Sequence, residues 1–300
     1  EHSTLRVVEV EQGALLPFSI PHAMALSWTA DGQGFSYLKF LGAPGTPAYF
    51  VGNEPRLHRL DGDGDDVVLA RRGADGIAAR AEQFLVVVFD PASDTALAIV
   101  RDGRSEVALY RADAGQAMTG SATWTPVAGF DDVIVDAALQ GDQLYLLSKK
   151  DASGGRVLQT SARTPDLARA QTLTLPGTPV IESMLPTRNG LLLRTLEGGV
   201  SGLWQVREDG APARIALPFE GQVPWMQGDI RSGRVLVAMT GWFTPLTVFA
   251  LDVDTGGLQD LALVPPPPFD VDGYEARTDK VTARDGVQVP YTLVMRKGLR

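Results

Sequence analysis

His2, His22 and His58 are the only imidazoles in the chain, and there is no cysteine. Disulfides, thiolate nucleophiles and Cys-ligated zinc or iron–sulfur sites are therefore excluded. A zinc site draws its ligands from a helix or turn that clusters them, and these histidines are scattered, so neither a metal nor another cofactor is expected. His2 lies in a terminal segment, His22 follows Pro21, and His58 sits between Leu57 and Arg59 in an alternating run. All three read as structural or surface residues. A serine nucleophile would sit in Gly-x-Ser-x-Gly, the strained strand-to-helix turn that exposes its hydroxyl. The nearest phrase, Gly199-Val200-Ser201-Gly202-Leu203, ends in leucine and falls inside a hairpin of strands. Asp61-Gly62-Asp63-Gly64-Asp65-Asp66 has the carboxylate density of a calcium loop. The EF-hand pattern needs Gly sixth and Glu twelfth, where this chain has Asp66 and Arg72, so the stretch reads as a solvated hairpin turn. Asp131-Asp132 and Asp270/Asp272 flank turns and read as surface carboxylates, and Arg71-Arg72 is too short for a basic patch. Trp28, Trp204, Trp225, Trp242 and Tyr37 could line a ligand groove, but at strand positions they read as packing between sheets. No catalytic or substrate-binding residue is assigned within the chain.

The elements around these residues are strands. The chain has 300 residues, 44% of them hydrophobic and 21% charged, the balance of a globular protein. Its 32 glycines and 20 prolines imply many turns. Apolar runs such as Phe84–Phe89 are short, far from the ~20 residues of a membrane span, so no membrane partner is expected. A net charge of −9 argues against nucleic acid, which calls for a basic surface. Glu1–Leu5 lacks the basic and apolar regions of a signal peptide, and the compartment stays open between cytoplasm and periplasm.

Trp28–Leu38 reads as a strand, an Asp31-Gly32 turn and a second strand. The phrase recurs at Val86–Val100, Val133–Leu147, Ile181–Thr195 and Gln227–Met239. Leu38, Ile99, Leu146, Leu193 and Val237 are equivalent points, spaced by 61, 47, 47 and 44 residues. A second hairpin half follows each copy, and then a closing strand such as Arg214–Leu217 or Leu258–Leu261. Four strands every ~45 residues is the period of a β-propeller blade. A twisted four-stranded sheet cannot bury both faces alone, and radial stacking buries them. The expected fold is all-β, an incomplete propeller with about five complete blades near residues 20–72, 82–129, 131–176, 178–218 and 222–262, after a stray strand at Leu5–Val10. A pair of β-sandwiches is the competing all-β reading. Ala74–Gln83 is the best helical candidate, weakened by Gly76.

The tail breaks the pattern. Pro265–Pro268 reads as a stiff linker in polyproline II form. Tyr274–Ala283 and Val287–Met295 form a hairpin around Arg284-Asp285-Gly286, with Val289, Tyr291, Leu293 and Met295 on one apolar face. That face calls for another domain to pack on. The organisation is read as an incomplete propeller over 1–264, a Pro-rich linker over 265–273, and the first strands of a further domain over 274–300.

The phrase Val281-Thr282-Ala283-Arg284-Asp285-Gly286-Val287-Gln288-Val289-Pro290-Tyr291-Thr292-Leu293-Val294-Met295-Arg296-Lys297-Gly298-Leu299 resembles the prolyl oligopeptidase family of serine peptidases, at the passage from propeller to α/β-hydrolase domain. Ser27–Tyr37 looks like the family's third blade, Arg56–Leu60 and Asp65–Leu69 like that blade's outer strands, and Gly241–Phe249 like its final blade. The resemblance implies a seven-bladed propeller whose second blade is already ending at Glu1. It makes the hairpin over 274–300 the start of the peptidase (α/β-hydrolase) domain. It implies a Ser-Asp-His triad located C-terminal of Arg300, short peptides as substrates with the propeller gating their access, and the hydrolase domain as the propeller's packing partner. The 300-residue chain alone is then expected to be inactive. The alternative is a stand-alone propeller that binds a ligand or protein without catalysis.

Overall fold

The structure is a computed structural model that describes residues 3–29, 31–62, 64–177, 179–207, 210–265 and 270–299. His2, Asp63, Pro266–Pro268 and Arg300 lie outside the described residues. By internal contacts the chain divides into two compact units: residues 1–151 with 157–172, and residues 152–156 with 173–300.

The first unit opens with four two-residue strands: β1 (Thr4–Leu5), β2 (Val8–Glu9), β3 (Ala14–Leu15) and β4 (Ile20–Pro21). β1 pairs with β4 and β2 with β3, so the single strand expected over Leu5–Val10 is two short ones with different partners. Three four-stranded antiparallel meanders follow. The first sheet holds β5 (Ala23–Trp28), β6 (Gly34–Lys39), β7 (Glu54–Arg59) and β8 (Val67–Val68). The second holds β9 (Phe84–Phe89), β10 (Thr95–Arg101), β11 (Val107–Asp113) and β12 (Thr125–Ala128). The third holds β13 (Ile134–Gln140), β14 (Gln143–Ser148), β15 (Arg156–Ser161) and β16 (Gln171–Leu173).

The second unit repeats the meander twice. Its sheets are β17 (Val180–Thr187), β18 (Gly190–Glu197), β19 (Val200–Val206) and β20 (Ala213–Arg214), then β21 (Gln222–Gly228), β22 (Arg234–Thr240), β23 (Thr247–Asp252) and β24 (Leu258–Asp260). The hairpin β25 (Tyr274–Thr282) with β26 (Gln288–Arg296) closes the chain, with Thr278 opposite Thr292. The five repeats expected from turn spacing are five sheets of four strands.

Burial explains why the second strands carry unbroken apolar runs, such as Ala96–Val100 in β10 and Val235–Met239 in β22. In β10, Ala96, Ala98 and Val100 pack with Leu57 and Leu69 of the first sheet, whereas Leu97 and Ile99 pack with Leu139, Leu144 and Leu146 of the third. Side chains alternate across a strand, so a sheet stacked on both faces needs hydrophobic residues without alternation. In the second unit Leu192, Leu203 and Ile215 meet Val223, Val235, Val237 and Phe249 in the same way. Each fully buried side chain of this size contributes about 1.5–3 kcal/mol. A register shift recurs between the first two strands of four repeats, at Ala25/Ser27, Ile134/Asp136, Ile181/Ser183 and Gln222/Trp225. Such bulges sharpen local twist, which suits sheets that stack by rotation.

Ala74–Gln83 is not a helix. Asp75 and Gly76 have φ of +55° and +90°, which no right-handed helix accommodates. Asp75 O accepts from Trp124 N at 2.7 Å, tying the segment to the chain before β12. The α-helix among the described residues is instead the short Ala114–Met118, whose N-cap Asp113 accepts from Gln116 N at 2.8 Å.

Candidate functional site

The residues singled out by type fall into separate places. Ser201 lies in β19, buried, between two strands rather than before a helix. Its Oγ accepts from Val223 N at 3.0 Å and donates to Gln222 Oε1 at 3.3 Å. Those bonds make it a tie between two sheets, not a nucleophile, because a serine nucleophile needs a base at its hydroxyl. His22 has its Nδ1 3.2 Å from the Tyr49 hydroxyl and its ring edge-on to Tyr49. Asp132 caps its own turn, accepting from Gly129 N at 2.9 Å, and lies 3.5 Å from Lys150 Nζ. Asp270 accepts from Asp272 N within an exposed turn. Among the described residues no group of three His, Asp or Glu side chains is placed to hold a metal ion.

His58 and the acidic turn do come together, in a way their spacing did not announce. Asp66 is not a solvated turn residue. Its Oδ1 accepts from His58 Nδ1 at 2.7 Å, and its Oδ2 accepts from the Tyr37 hydroxyl. The His58 ring lies against Phe18 and Phe35, at centroid distances of 4.5 and 5.3 Å. Burial, and then the Asp66 carboxylate, push the Tyr37 phenol well above the usual tyrosine range. A raised value in the folded state stabilises while the phenol is protonated. That stability is complete below the unfolded value of ~10 and is lost as pH rises through the folded one. In an ultraviolet titration of the folded chain, Tyr37→Phe should remove a phenol that ionises at the alkaline extreme, and Asp66→Asn should bring that phenol's ionisation down. Loss of an ordinary phenol in Tyr37→Phe would refute the contact.

The aromatic residues divide. Tyr37 and Trp204 are buried, as expected of packing residues. Trp28, Trp225 and Trp242 are 50%, 38% and 66% exposed, so the packing expectation fails for them. Trp124, which the sequence did not single out, is buried instead. Trp242 stands in the Gly241–Leu246 turn between β22 and β23, where the chain leaves the sheet. A turn between strands has no neighbour to cover an aromatic ring.

Two cavities flank the hairpin in the second unit. The larger, about 1170 Å³, runs from the start of β17 to Asp279 and Lys280 and carries Glu197, Arg214 and Glu220 on its walls. Arg214 Nη1 is 3.7 Å from Glu197 Oε2, and the guanidinium lies 5.8 Å from the Trp204 ring centre. The smaller, about 420 Å³, is lined by Phe219, Trp242 and Phe243, by Thr278 and Thr292 of the hairpin, and by Glu220, which both cavities share. The Phe243 ring reaches toward Tyr274 of β25, at 6.2 Å between centroids. Phe219 and Glu220 carried no signal in the sequence, since both sit in an irregular stretch before β21. The pair Trp242-Phe243 did carry one: adjacent aromatics before Thr-Pro cannot share one face of a strand. These cavities can bind, but no paired nucleophile and base faces either of them among the described residues.

The repeated four-stranded meander places the chain in the class of β-propeller domains. The family profile described as "Prolyl oligopeptidase, N-terminal beta-propeller domain" matches residues 1–262, and the chain belongs to that family. A prolyl endopeptidase of Elizabethkingia meningoseptica is 26% identical over 176 residues, 58% of this chain and 24% of the relative. Protease 2 of Moraxella lacunata is 27% identical over 173 residues, 56% and 24% of the two chains. Among solved structures, one from a structural and mechanistic analysis of two prolyl endopeptidases has a TM-score of 0.78 at 21% identity, covering 99% of this chain and 43% of that one. Prolyl oligopeptidase B from Galerina marginata, in its apo form, has a TM-score of 0.76 at 14% identity, covering 100% and 44%. The chain spans less than half the length of these proteins. At these identities the structural likeness speaks to fold.

Proposed function

We propose that this chain is the propeller portion of a serine-type oligopeptidase. In this reading a hydrolase domain continues beyond Arg300 and supplies the Ser-Asp-His triad, the propeller restricts access to short peptides, and the 300-residue chain alone does not cleave them. The observation that carries the reading is the hairpin. Val289, Tyr291, Leu293 and Val294 of β26 are exposed, at 43%, 39%, 47% and 47%, on a two-stranded sheet. A lone two-stranded ribbon is marginal in water, and one with this much apolar exposure is suited to continue into a larger sheet. The relatives named prolyl endopeptidase support the same reading, because the part they share with this chain is about a quarter of their length.

Family membership and the unmatched length of the relatives favour this reading over a stand-alone binding propeller. The test is labelling with an active-site-directed fluorophosphonate, which reacts only with a serine activated by a base in reach. The 300-residue chain is expected to stay unlabelled, and a longer form carrying the hydrolase domain to label once, at a serine beyond Arg300. Labelling of the 300-residue chain, or a longer form without a reactive serine, overturns the proposal.

A further inference from the structure

The smaller cavity beside the hairpin has a chemistry of its own. Phe219, Trp242 and Phe243 line it, and its only charged lining residue is Glu220, which the larger cavity shares. Among the described residues the Glu220 carboxylate has no hydrogen-bond or ion-pair partner. No lysine or arginine lines the cavity. Its rim is held in shape: Gln222 Nε2 donates to Gly199 O, and Thr244 O accepts from both Gly241 N at 3.0 Å and Thr240 Oγ1 at 3.2 Å. On the hairpin side Thr278 Oγ1 and Thr292 Oγ1 are 3.1 Å apart. The volume, about 420 Å³, lies within the ~300–1,000 Å³ of sites that take small ligands or single side chains.

Aromatic faces carry negative potential, and tryptophan attracts cations most strongly of the three aromatic residues. A carboxylate beside such faces favours a cation, since charge and quadrupole act in the same direction. No lysine or arginine lines this smaller cavity, whereas Arg214 and Lys280 line the larger one, on whose wall Glu220 also stands.

We propose that this cavity, walled by Phe219, Trp242 and Phe243 and bearing Glu220, binds the basic side chain of a peptide. The assignment of that peptide as a substrate rests on the oligopeptidase reading above. The cavity then acts as a remote subsite at the junction between the last sheet and the hairpin, favouring peptides that carry a lysine or arginine away from the bond to be cleaved.

The test is a binding titration of the 300-residue chain with N-acetyl-arginine amide and with its neutral isostere N-acetyl-citrulline amide, followed by calorimetry and by the Trp242 indole N–H resonance. The arginine compound should bind and shift that resonance, and the citrulline compound should bind about tenfold more weakly or worse. Glu220→Gln should weaken arginine binding about tenfold and leave citrulline unchanged, and Trp242→Ala should weaken arginine binding as well. Both positions are exposed, so the variants fold. Equal binding of the two compounds, arginine binding that survives Glu220→Gln, or no binding overturns the proposal. The titration involves no catalysis. If arginine binds but the longer form carries no reactive serine, the site stands and only its reading as a substrate subsite falls.

Discussion

Asn53→Ala is expected to destabilise the first unit by about 3–5 kcal/mol, more than any surface substitution in the chain. Asn53 is completely buried, just ahead of β7. Its Nδ2 donates to Phe50 O at 3.0 Å and to Gln83 O at 3.3 Å. Its Oδ1 accepts from Leu85 N at 3.2 Å and from Arg72 Nη2, and its main-chain oxygen accepts from Arg72 Nη1. Arg72 Nη2 also donates to Gln83 O at 2.9 Å. One amide therefore joins the first sheet to the start of β9 in the second and holds a guanidinium whose pKa burial lowers. Alanine leaves the Leu85 N–H without its acceptor and strips Arg72 of its only side-chain acceptor among the described residues. A buried unpaired donor costs about 1–3 kcal/mol, and one belonging to a charged group costs more. The measurement is urea unfolding followed by circular dichroism. Asn53→Asp keeps the acceptor and loses the donor, so it should fall between wild type and alanine. A loss below about 1 kcal/mol for alanine would show that the network carries no weight.

Gly76→Ala should cost about 3–5 kcal/mol for a different reason. Gly76 has φ +90°, and a Cβ there would lie 2.2 Å from Trp124 O. The contact is with main chain, beside a buried tryptophan whose own N–H bonds to Asp75, so it cannot be relieved by turning a side chain. Gly73→Ala is the control. It has φ +67° with open space around the added carbon, and should cost only the ~1–2 kcal/mol of a left-handed alanine. The difference between the two in thermal or urea unfolding measures the clash. Equal losses would mean that Trp124 moves aside freely.

Much of the architecture was readable because it is written in local signals. Asp31-Gly32, Gly141, Asn189-Gly190 and Gly233 interrupt runs of β-formers at regular intervals, and each interruption is a turn between the first two strands of a repeat. Turn chemistry depends on a few adjacent residues, so spacing carries over into strands with little change. The helix candidate at Ala74–Gln83 failed because its helical residues meet a nonlocal demand. Asp75 and Gly76 bend to the main chain of Trp124, some fifty positions on, and that contact outweighs propensities worth a few tenths of a kcal/mol per residue.

The candidate sites were less readable. His58, Asp66 and Tyr37 looked unrelated because their association depends on the register of β6 against β7 and on where the turn before β8 returns. Tryptophans in strands ended with opposite exposure, Trp204 of β19 covered and Trp225 of β21 open. Strand alternation shows that two faces differ and not which one a neighbouring sheet will cover. Residue order was enough for an all-β repeat, for its turns and for the lack of a serine elbow, since each of these is a property of short stretches. The pairing of Asp66, the exposure of Trp242 and the lone carboxylate of Glu220 beside the hairpin come from segments far apart in the chain. Burial and charge pairing there depend on which surfaces meet when the sheets stack, and no short stretch encodes that.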